Sequence, residues 1–205
     1  DDWLIVVYKP SGTLVIPTPK KEKNTLTDLL NRELDSRGIK ANAYPCHRLD
    51  RDTSGLIVYA KGKSAQQRMM DEFRNRRVKK TYVAFVQGAV KKDYDTLKGN
   101  IYNRNKRRNE SAITKYRVVE RRGPFSVLEV VPLTGRTNQI RIQLKNIGHP
   151  LLGEDVYAFR KDFALRFKRV ALHAYTLEFS HPITGKRLNF SSPLPEDMEN
   201  FLNHG

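Results

Sequence analysis

The sequence predicts an α+β fold with a mixed, mainly antiparallel sheet and flanking helices. Short β-branched and aromatic runs follow one another along the chain, and segments with apolar residues at helical spacing interrupt them, which is typical of this class. With 39% hydrophobic and 29% charged residues, the composition is that of a soluble globular protein. The 205 residues can bury a sizeable core, and we expect a single domain over residues 1–205.

The first elements are marked by apolar runs and by the residues that end them. A β-branched run at residues 3–8 predicts the first strand, which the KPSG turn at residues 9–12 ends. Residues 25–37 predict a helix, because leucines recur there at helical spacing and Gly38 follows as a stop. These leucines are Leu26, Leu29, Leu30 and Leu34.

The next elements alternate between strand and helix. An apolar run at residues 56–60 predicts a strand. Ser64 is expected to cap a helix that ends near Asn75, and residues 81–86 predict a mostly buried strand. We expect the buried side of this helix to carry Met69, Met70 and Phe73.

Residues 91–109 are polar and basic without periodicity, so we expect a mobile, exposed excursion there. Two antiparallel strands are predicted at residues 112–119 and 125–131. The TGRT turn at residues 134–137 leads into a helix that Gly148 ends.

The last elements are a hairpin and a short helix. Residues 171–179 and 187–190 predict two paired strands around the PITG turn at residues 182–185. Pro195 then opens the final helix.

The charge of the chain favours a polyanionic partner. The formal net charge is +16, and such a field attracts polyanions and speeds their encounter. Cations cluster at residues 74–80, 104–108 and 160–169. None of these clusters lies on an amphipathic helix with a large apolar face, and no apolar run is long enough to span a bilayer, so we expect nucleic acid and not a membrane as the partner.

Several kinds of site are disfavoured by the residues present. Cys46 is the only cysteine, which leaves no internal disulfide and no cysteine-ligated zinc and favours a reducing, cytoplasmic setting. The five histidines lack ligand spacing such as HExxH, so we expect no metal. Neither GxGxxG after a strand nor a Walker-type GxxxxGK[ST] occurs, so we expect no cofactor.

The nine residues HRLDRDTSG at positions 47–55 contain the strongest candidate for chemistry. Asp50 lies among basic side chains, which favour its ionised form, and an ionised carboxylate can act as a nucleophile or a base. Asp52 would point to the opposite face of an extended segment, so a paired-carboxylate site is not expected. Taken by itself, Asp50 would also fit a surface ion pair with Arg48 or Arg51.

Two further segments offer partners for that carboxylate. On the helix of TGRTNQIRI, Arg141 and Asn138 lie away from the core face, and a guanidinium there can bind a carboxylate with two hydrogen bonds. A contact of Arg141 with phosphate or water is the alternative. In KKTYVAFV, Tyr82 follows a basic pair and offers a ring for stacking and a hydroxyl for proton transfer, although core packing would also account for it.

Together these residues resemble the RluA-type pseudouridine synthases, which isomerise uridine in ribosomal or transfer RNA. The resemblance spans nearly the whole chain, and the combination of HRLDxxTSG with GRTxQIR is highly specific. It is carried by DWLIVVYKPSG (2–12), HRLDRDTSGLIVYAK (47–61), KKTYVAFV (79–86), TGRTNQIRIQLKNIGHPLLGEDVY (134–157) and RVALHAYTLEFSHPITG (169–185). It implies a bifurcated sheet around a central RNA-binding cleft and a reaction that uses no metal or cofactor.

The resemblance also implies a role for each matching residue. Asp50 matches the catalytic aspartate, Tyr82 the tyrosine that stacks on the target base and is a candidate in proton transfer, and Arg141 the arginine that pairs with the aspartate. Arg48 matches the arginine that helps to fill the stack when the uridine flips out. We also expect the following residues to contact RNA: His47, Arg136, Lys79 and Lys80.

The chain departs from the family pattern at three positions. Asn138 stands where the family usually has histidine, Glu154 where it usually has aspartate, and Ala158 where it usually has glycine. These departures leave the proposed catalytic residues in place. We expect residues 1–205 to hold the catalytic domain without the small N-terminal RNA-binding domain that many relatives carry, and we expect a monomer.

The residues leave the exact reaction and substrate open. Asp50 could attack the anomeric carbon or remove the neighbouring ribose proton. Large-subunit ribosomal RNA is the first expected substrate and tRNA the second, and the excursion at residues 91–109 is expected to contact it. The alternatives are a non-catalytic RNA-binding or ribosome-assembly module on the same fold and, disfavoured by the lack of ligand-spaced carboxylates and histidines, a metal-dependent nuclease.

Overall fold

The computed structural model describes residues 1–20, 22–104, 106–158 and 165–204. The fold is α+β with a mixed, mostly antiparallel sheet, as the sequence predicts. The strands are β1 (Leu4–Lys9), β2 (Ala43–Pro45), β3 (Ser54–Lys61), β4 (Lys79–Gln87), β5 (Tyr94–Asn103), β6 (Arg108–Arg121), β7 (Phe125–Pro132), β8 (Leu172–Ser180) and β9 (Arg187–Ser191). The helices are α1 (Leu26–Ser36), α2 (Lys63–Arg74), α3 (Gln139–Asn146) and α4 (Glu196–His204). These elements form two compact units, Asp1–Lys79 with Thr176–Pro193 and Lys80–Tyr175 with Leu194–Gly205.

The first unit is built around β3. This strand pairs antiparallel with β1 and with β2, and all of its residues except the last are buried. Helix α2 packs on β3, and Val58, Met69 and Phe179 belong to the core of this unit. Helix α1 is confirmed, and its start is stabilised by a capping box between Thr25 and Asp28. The residues that follow the HRLD motif therefore enter a buried strand that is paired on both edges.

Three local expectations in this unit are corrected. The three-residue strand β2 was missed, because so short a segment shows no periodicity. Helix α2 begins one residue before Ser64 and has no side-chain cap, so Ser64 lies inside the helix. Met70 is 37% exposed, because consecutive helical residues point about 100° apart and only Met69 and Phe73, four residues apart, share the buried side.

The second unit contains an antiparallel meander in the order β4, β7, β6, β5. Its core includes Phe85, Phe125, Leu152 and Met198, and α3 packs on β5, β6 and β7. The predicted strands at residues 81–86, 112–119 and 125–131 and the helix after the TGRT turn are confirmed. The final helix, α4, is confirmed in this unit, and the paired residues of the β8–β9 hairpin, which belong to the first unit, are confirmed as well.

The expected excursion at residues 91–109 is instead mostly a strand and its turn. β5 pairs with β6 from Tyr94 opposite Arg117 to Asn103 opposite Arg108. Only Leu97 and Ile101 of β5 are buried, so the strand carries too few apolar residues to show alternation in the sequence.

Two other expectations from the sequence concern the third basic cluster and membrane crossing. The basic cluster at residues 160–169 lies partly outside the described residues, and Arg169 at its end forms an ion pair with Asp197. Among the described helices, none has the length and apolar character that crossing a bilayer requires.

Candidate active site

Asp50 lies in the turn that connects β2 to β3. Its carbonyl oxygen accepts a hydrogen bond of 3.2 Å from the backbone N–H of Thr53, which closes a tight turn. Leu49 is buried and Asp50 is half-buried. Since β3 starts at Ser54, the carboxylate is carried by a short turn directly ahead of the most buried strand of its unit.

The buried side chain of Lys9 holds the backbone of this turn at Arg51. Lys9 is fully buried, and its Nζ donates to the carbonyl oxygens of Pro10 (2.9 Å), Thr13 (2.7 Å) and Arg51 (2.8 Å). The N–H of Gly12 donates to the same Arg51 oxygen at 2.9 Å. A buried ammonium is tolerated only when its donors are satisfied, so these bonds tie the KPSG turn firmly to the residue after Asp50. The sequence pattern pointed to the KPSG turn only as a strand end and missed Lys9.

The two residues before Leu49 have different environments. Nε2 of His47 accepts a hydrogen bond of 3.0 Å from the N–H of Val58, and its ring packs 4.5 Å from that of Phe73. Arg48 is exposed. His47 therefore helps to hold the motif on β3, while Arg48 is the more accessible of the two for RNA, and both RNA contacts remain predictions.

Tyr82 lies near the start of β4, in the second unit. It is 8% exposed and stands opposite Val130 of β7. Lys80, two residues earlier on the strand, is directed to the same face, where its Nζ lies beside Gly135 of the TGRT turn. Burial lowers the pKa of Lys80.

Lys79 belongs to the first unit and has a different partner. Its exposed side chain forms an ion pair of 2.8 Å with Glu178, and this contact lowers the pKa of Glu178. The two neighbouring lysines that the sequence groups as RNA ligands thus have different environments.

A buried amide network fastens the TGRT turn and α3 to the sheet of the second unit. Gln139 accepts from the hydroxyl of Thr134 (2.7 Å) and from the N–H of Arg136 (3.0 Å), and it donates to the hydroxyl of Thr114 (2.8 Å). That hydroxyl donates in turn to Gln143 at 2.6 Å. Buried amides are stabilising only when their donors and acceptors are paired. The network therefore explains the threonine and glutamine of the GRTxQI pattern as residues that position α3.

Arg136 belongs to a basic cluster that surrounds the buried carboxylate of Glu110. Its Nε donates to the carbonyl oxygen of Ser111 at 3.0 Å, and its Nη1 lies 3.4 Å from Glu110. Hydrogen bonds from Asn103 and Lys106, with the charge of Arg136, lower the pKa of Glu110 to about 2. Glu110 therefore orders cations at the tip of the β5–β6 hairpin.

Arg141 is buried on α3 and bound by a carboxylate of its own unit. Its Nε and Nη2 donate to the two oxygens of Glu154, both at 2.8 Å. The guanidinium also contacts Oδ1 of Asn138 at 3.4 Å and lies 5.4 Å from the centre of the Tyr157 ring. The predicted proximity of Asn138 and Arg141 is confirmed, whereas the pairing of Arg141 with Asp50 stays a prediction.

Glu154 was missed as a site residue, and the sequence marked it only as a departure from the family pattern. Burial acts to raise the pKa of Glu154, but hydrogen bonds from Arg141 and from the N–H groups of Val156 and Tyr157 outweigh it, so that the pKa is lowered. A second marked departure, Asn138, touches the same guanidinium. Two of the three departures therefore meet at one proposed catalytic residue.

The predicted site residues named here fall into two groups, one in each unit. His47, Arg48 and Asp50 share one connection in the first unit, and Lys80, Arg136 and Arg141 belong to strand β4 and the TGRT–α3 segment of the second. Within the described part of the chain, no group of three or more histidine, cysteine or acidic side chains could hold a metal ion.

Comparisons with known proteins assign the chain to a family. A family model described as RNA pseudouridylate synthase matches residues 3–146. An uncharacterized RNA pseudouridine synthase of Chlorobaculum parvum is 38% identical over 97% of this chain and 70% of that protein. Ribosomal large subunit pseudouridine synthase D of Haemophilus influenzae is 34% identical over 99% of this chain and 68% of that protein.

A solved structure supports the same fold. The human RNA pseudouridylate synthase domain-containing 4 protein superimposes with a TM-score of 0.85 at 24% identity, covering 99% of this chain and 90% of that one. Since the family model spans the motifs around Asp50, Tyr82 and Arg141, the resemblance read from these motifs is confirmed at the level of the family. The chain belongs to the RNA pseudouridine synthases, of the RluA type.

Proposed function

We propose that this protein isomerises specific uridines of structured RNA to pseudouridine, with large-subunit ribosomal RNA as the first substrate and tRNA as the second. The observation that carries the proposal is the family match over residues 3–146, a range that contains Asp50, Tyr82 and Arg141. Several relatives, of Nitrosomonas europaea (37% identical) and Pseudomonas aeruginosa (35%) among others, are named ribosomal large subunit pseudouridine synthase D, which favours ribosomal RNA.

The reaction is an isomerisation that conserves all atoms. The bond between N1 of uracil and C1′ of ribose breaks, C5 of the base bonds to C1′, the C5 proton is lost and N1 gains a proton. In this proposal Asp50 is the carboxylate beside the ribose. It attacks C1′ or removes the C2′ proton, and both routes need it ionised.

Tyr82 and Arg141 serve the same step. Tyr82 stacks on the extruded uracil, and its hydroxyl takes part in the proton transfer at C5. Arg141 pairs with Asp50 and keeps it charged.

The substrate has to be presented with its base outside the stack. Extrusion costs about a few kcal/mol, which favours loops and distorted helices as targets. The net charge of +16 offsets this cost through phosphate contacts. Arg48 is exposed, and in this proposal its side chain fills the gap that the uridine leaves.

The test maps new pseudouridines by chemical tagging after incubation of unmodified total RNA with the wild type, Asp50→Asn or Asp52→Asn. New sites are expected with the wild type and Asp52→Asn, and none with Asp50→Asn. Turnover by Asp50→Asn would overturn the role of Asp50. Tight, salt-sensitive RNA binding without new sites in any sample would instead support the non-catalytic RNA-binding module.

A further inference from the structure

We propose that Glu154, Asn138 and Tyr157 are positioning residues that set the orientation of the Arg141 guanidinium for the reaction. This inference rests on the proposed function, in which Arg141 pairs with the carboxylate of Asp50. The three residues touch Arg141 or one another by side-chain contacts within the second unit.

The first argument is the bond between Arg141 and Glu154. The carboxylate takes the Nε and Nη2 donors together at 2.8 Å each, and a two-point bond to a planar guanidinium fixes its rotation. The two side chains are only 9% and 1% exposed. A buried ion pair contributes little net stability because of its desolvation cost, so orientation is the effect that this pair can supply best.

The second argument is that Glu154 is itself held in place. Its Oε1 accepts from the N–H groups of Val156 (2.9 Å) and Tyr157 (3.2 Å) in addition to Arg141. The carboxylate therefore cannot follow the guanidinium if that group moves, and it acts as a fixed reference for Arg141.

The third argument is that Asn138 and Tyr157 contact the guanidinium away from the two nitrogens that Glu154 binds. Nη1 of Arg141 faces Oδ1 of Asn138 at 3.4 Å, and Nδ2 of Asn138 donates to the hydroxyl of Tyr157 at 2.7 Å. Asn138 has a left-handed backbone (φ 53°, ψ 25°), which asparagine tolerates better than most residues. The Tyr157 ring lies 5.4 Å from the guanidinium carbon, so Tyr157 contacts Arg141 directly and through Asn138.

A second ion pair in the same unit provides a matched control. Arg169 binds Asp197 through Nε and Nη2 at 2.7 and 2.8 Å and lies 5.6 Å from the Phe167 ring. The Asp197 carboxylate is 44% exposed, and Asp197 lies on α4, outside every segment that carries a proposed catalytic residue. Asp197→Asn therefore breaks a pair of the same geometry that has no expected role in turnover.

The test compares Glu154→Gln, Glu154→Asp and Asp197→Asn for kcat at saturating RNA, for the RNA dissociation constant and for melting temperature. Misplacing a reacting group costs up to about a hundredfold in rate, and we expect Glu154→Gln to lower kcat roughly tenfold or more while the dissociation constant changes less than about twofold. Glu154→Asp should restore part of kcat, because it keeps the charge. Asp197→Asn should keep kcat, whatever its melting temperature.

The milder variants Asn138→Gly, which keeps the left-handed backbone accessible, and Tyr157→Phe decide the matter if Glu154→Gln fails to fold. Each should lower kcat roughly three- to tenfold, and the double variant should be no slower than the slower single one, because the two residues act through one contact. Unchanged kcat in these variants and in any folded Glu154→Gln protein would overturn the positioning role. An inactive wild type would instead contradict the proposed function itself.

Discussion

Nζ of Lys9 donates a 2.8 Å hydrogen bond to the carbonyl oxygen of Arg51, the residue that follows Asp50. This bond joins the end of the first strand to the motif that carries the proposed catalytic carboxylate. The same ammonium also binds the carbonyl oxygens of Pro10 and Thr13. The fully buried ammonium group of Lys9 therefore holds the backbone of the turn that contains Asp50.

Lys9→Met should destabilise the protein by about 2–4 kcal/mol, because it leaves buried carbonyl oxygens without a donor. Urea unfolding of the variant measures this loss. Lys63→Met, on the exposed side of α2, is the control and should change stability by less than about 0.5 kcal/mol. An equal loss of unfolding free energy in the two variants would mean that the hydrogen bonds of Lys9 add no measurable stability.

Tyr82→Phe should retain RNA binding and lose most turnover if the hydroxyl takes part in proton transfer. The ring stays in place on β4 and can still stack on the base, so only the chemical step is affected. Single-turnover rates on a mapped substrate, together with a binding titration, separate these two effects. Near wild-type turnover would assign Tyr82 to stacking alone.

Replacing Arg104, Lys106, Arg107 and Arg108 by glutamine should weaken RNA binding and reduce its salt dependence. Each lost phosphate contact lowers the slope of log K against log salt by about 0.7–0.9, so the loss of all four contacts should reduce the slope by about 3–4. Tyr102, 58% exposed on the same hairpin, adds a stacking surface. The control replaces four cations of the first unit, Lys20, Lys23, Arg37 and Lys40. Equal slopes in both variants would show that only total charge matters.

The pKa of Glu110, lowered to about 2, makes stability depend on pH. The folded pKa lies below the ordinary value of 4.5, so the stabilisation is fully present above pH 4.5 and is lost as the pH falls toward 2. The difference in unfolding free energy between the wild type and Glu110→Gln should therefore shrink over this window. A difference that stays constant from pH 6 to pH 3 would contradict the lowered pKa.

Much of the fold could be predicted because its elements have local signatures. The helix after the TGRT turn and the buried strand after the HRLD motif both follow from spacing of apolar residues, and both are confirmed. The β5 strand could not be recognised, because only Leu97 and Ile101 of its residues face the core. Ser64 and Met70 were misplaced because a shift of one residue changes the side of a helix on which a residue lies.

The sequence by itself determined the family and the identity of the proposed catalytic residues, because Asp50, Tyr82 and Arg141 stand in contiguous strings whose residue order identifies them. Only the tertiary structure decided what holds these residues. Lys9 reaches a carbonyl oxygen 42 residues away, and Glu154 reaches Arg141 from 13 residues away. Such contacts depend on the path of the backbone between the partners and on the burial of both, and neither quantity is encoded in local periodicity.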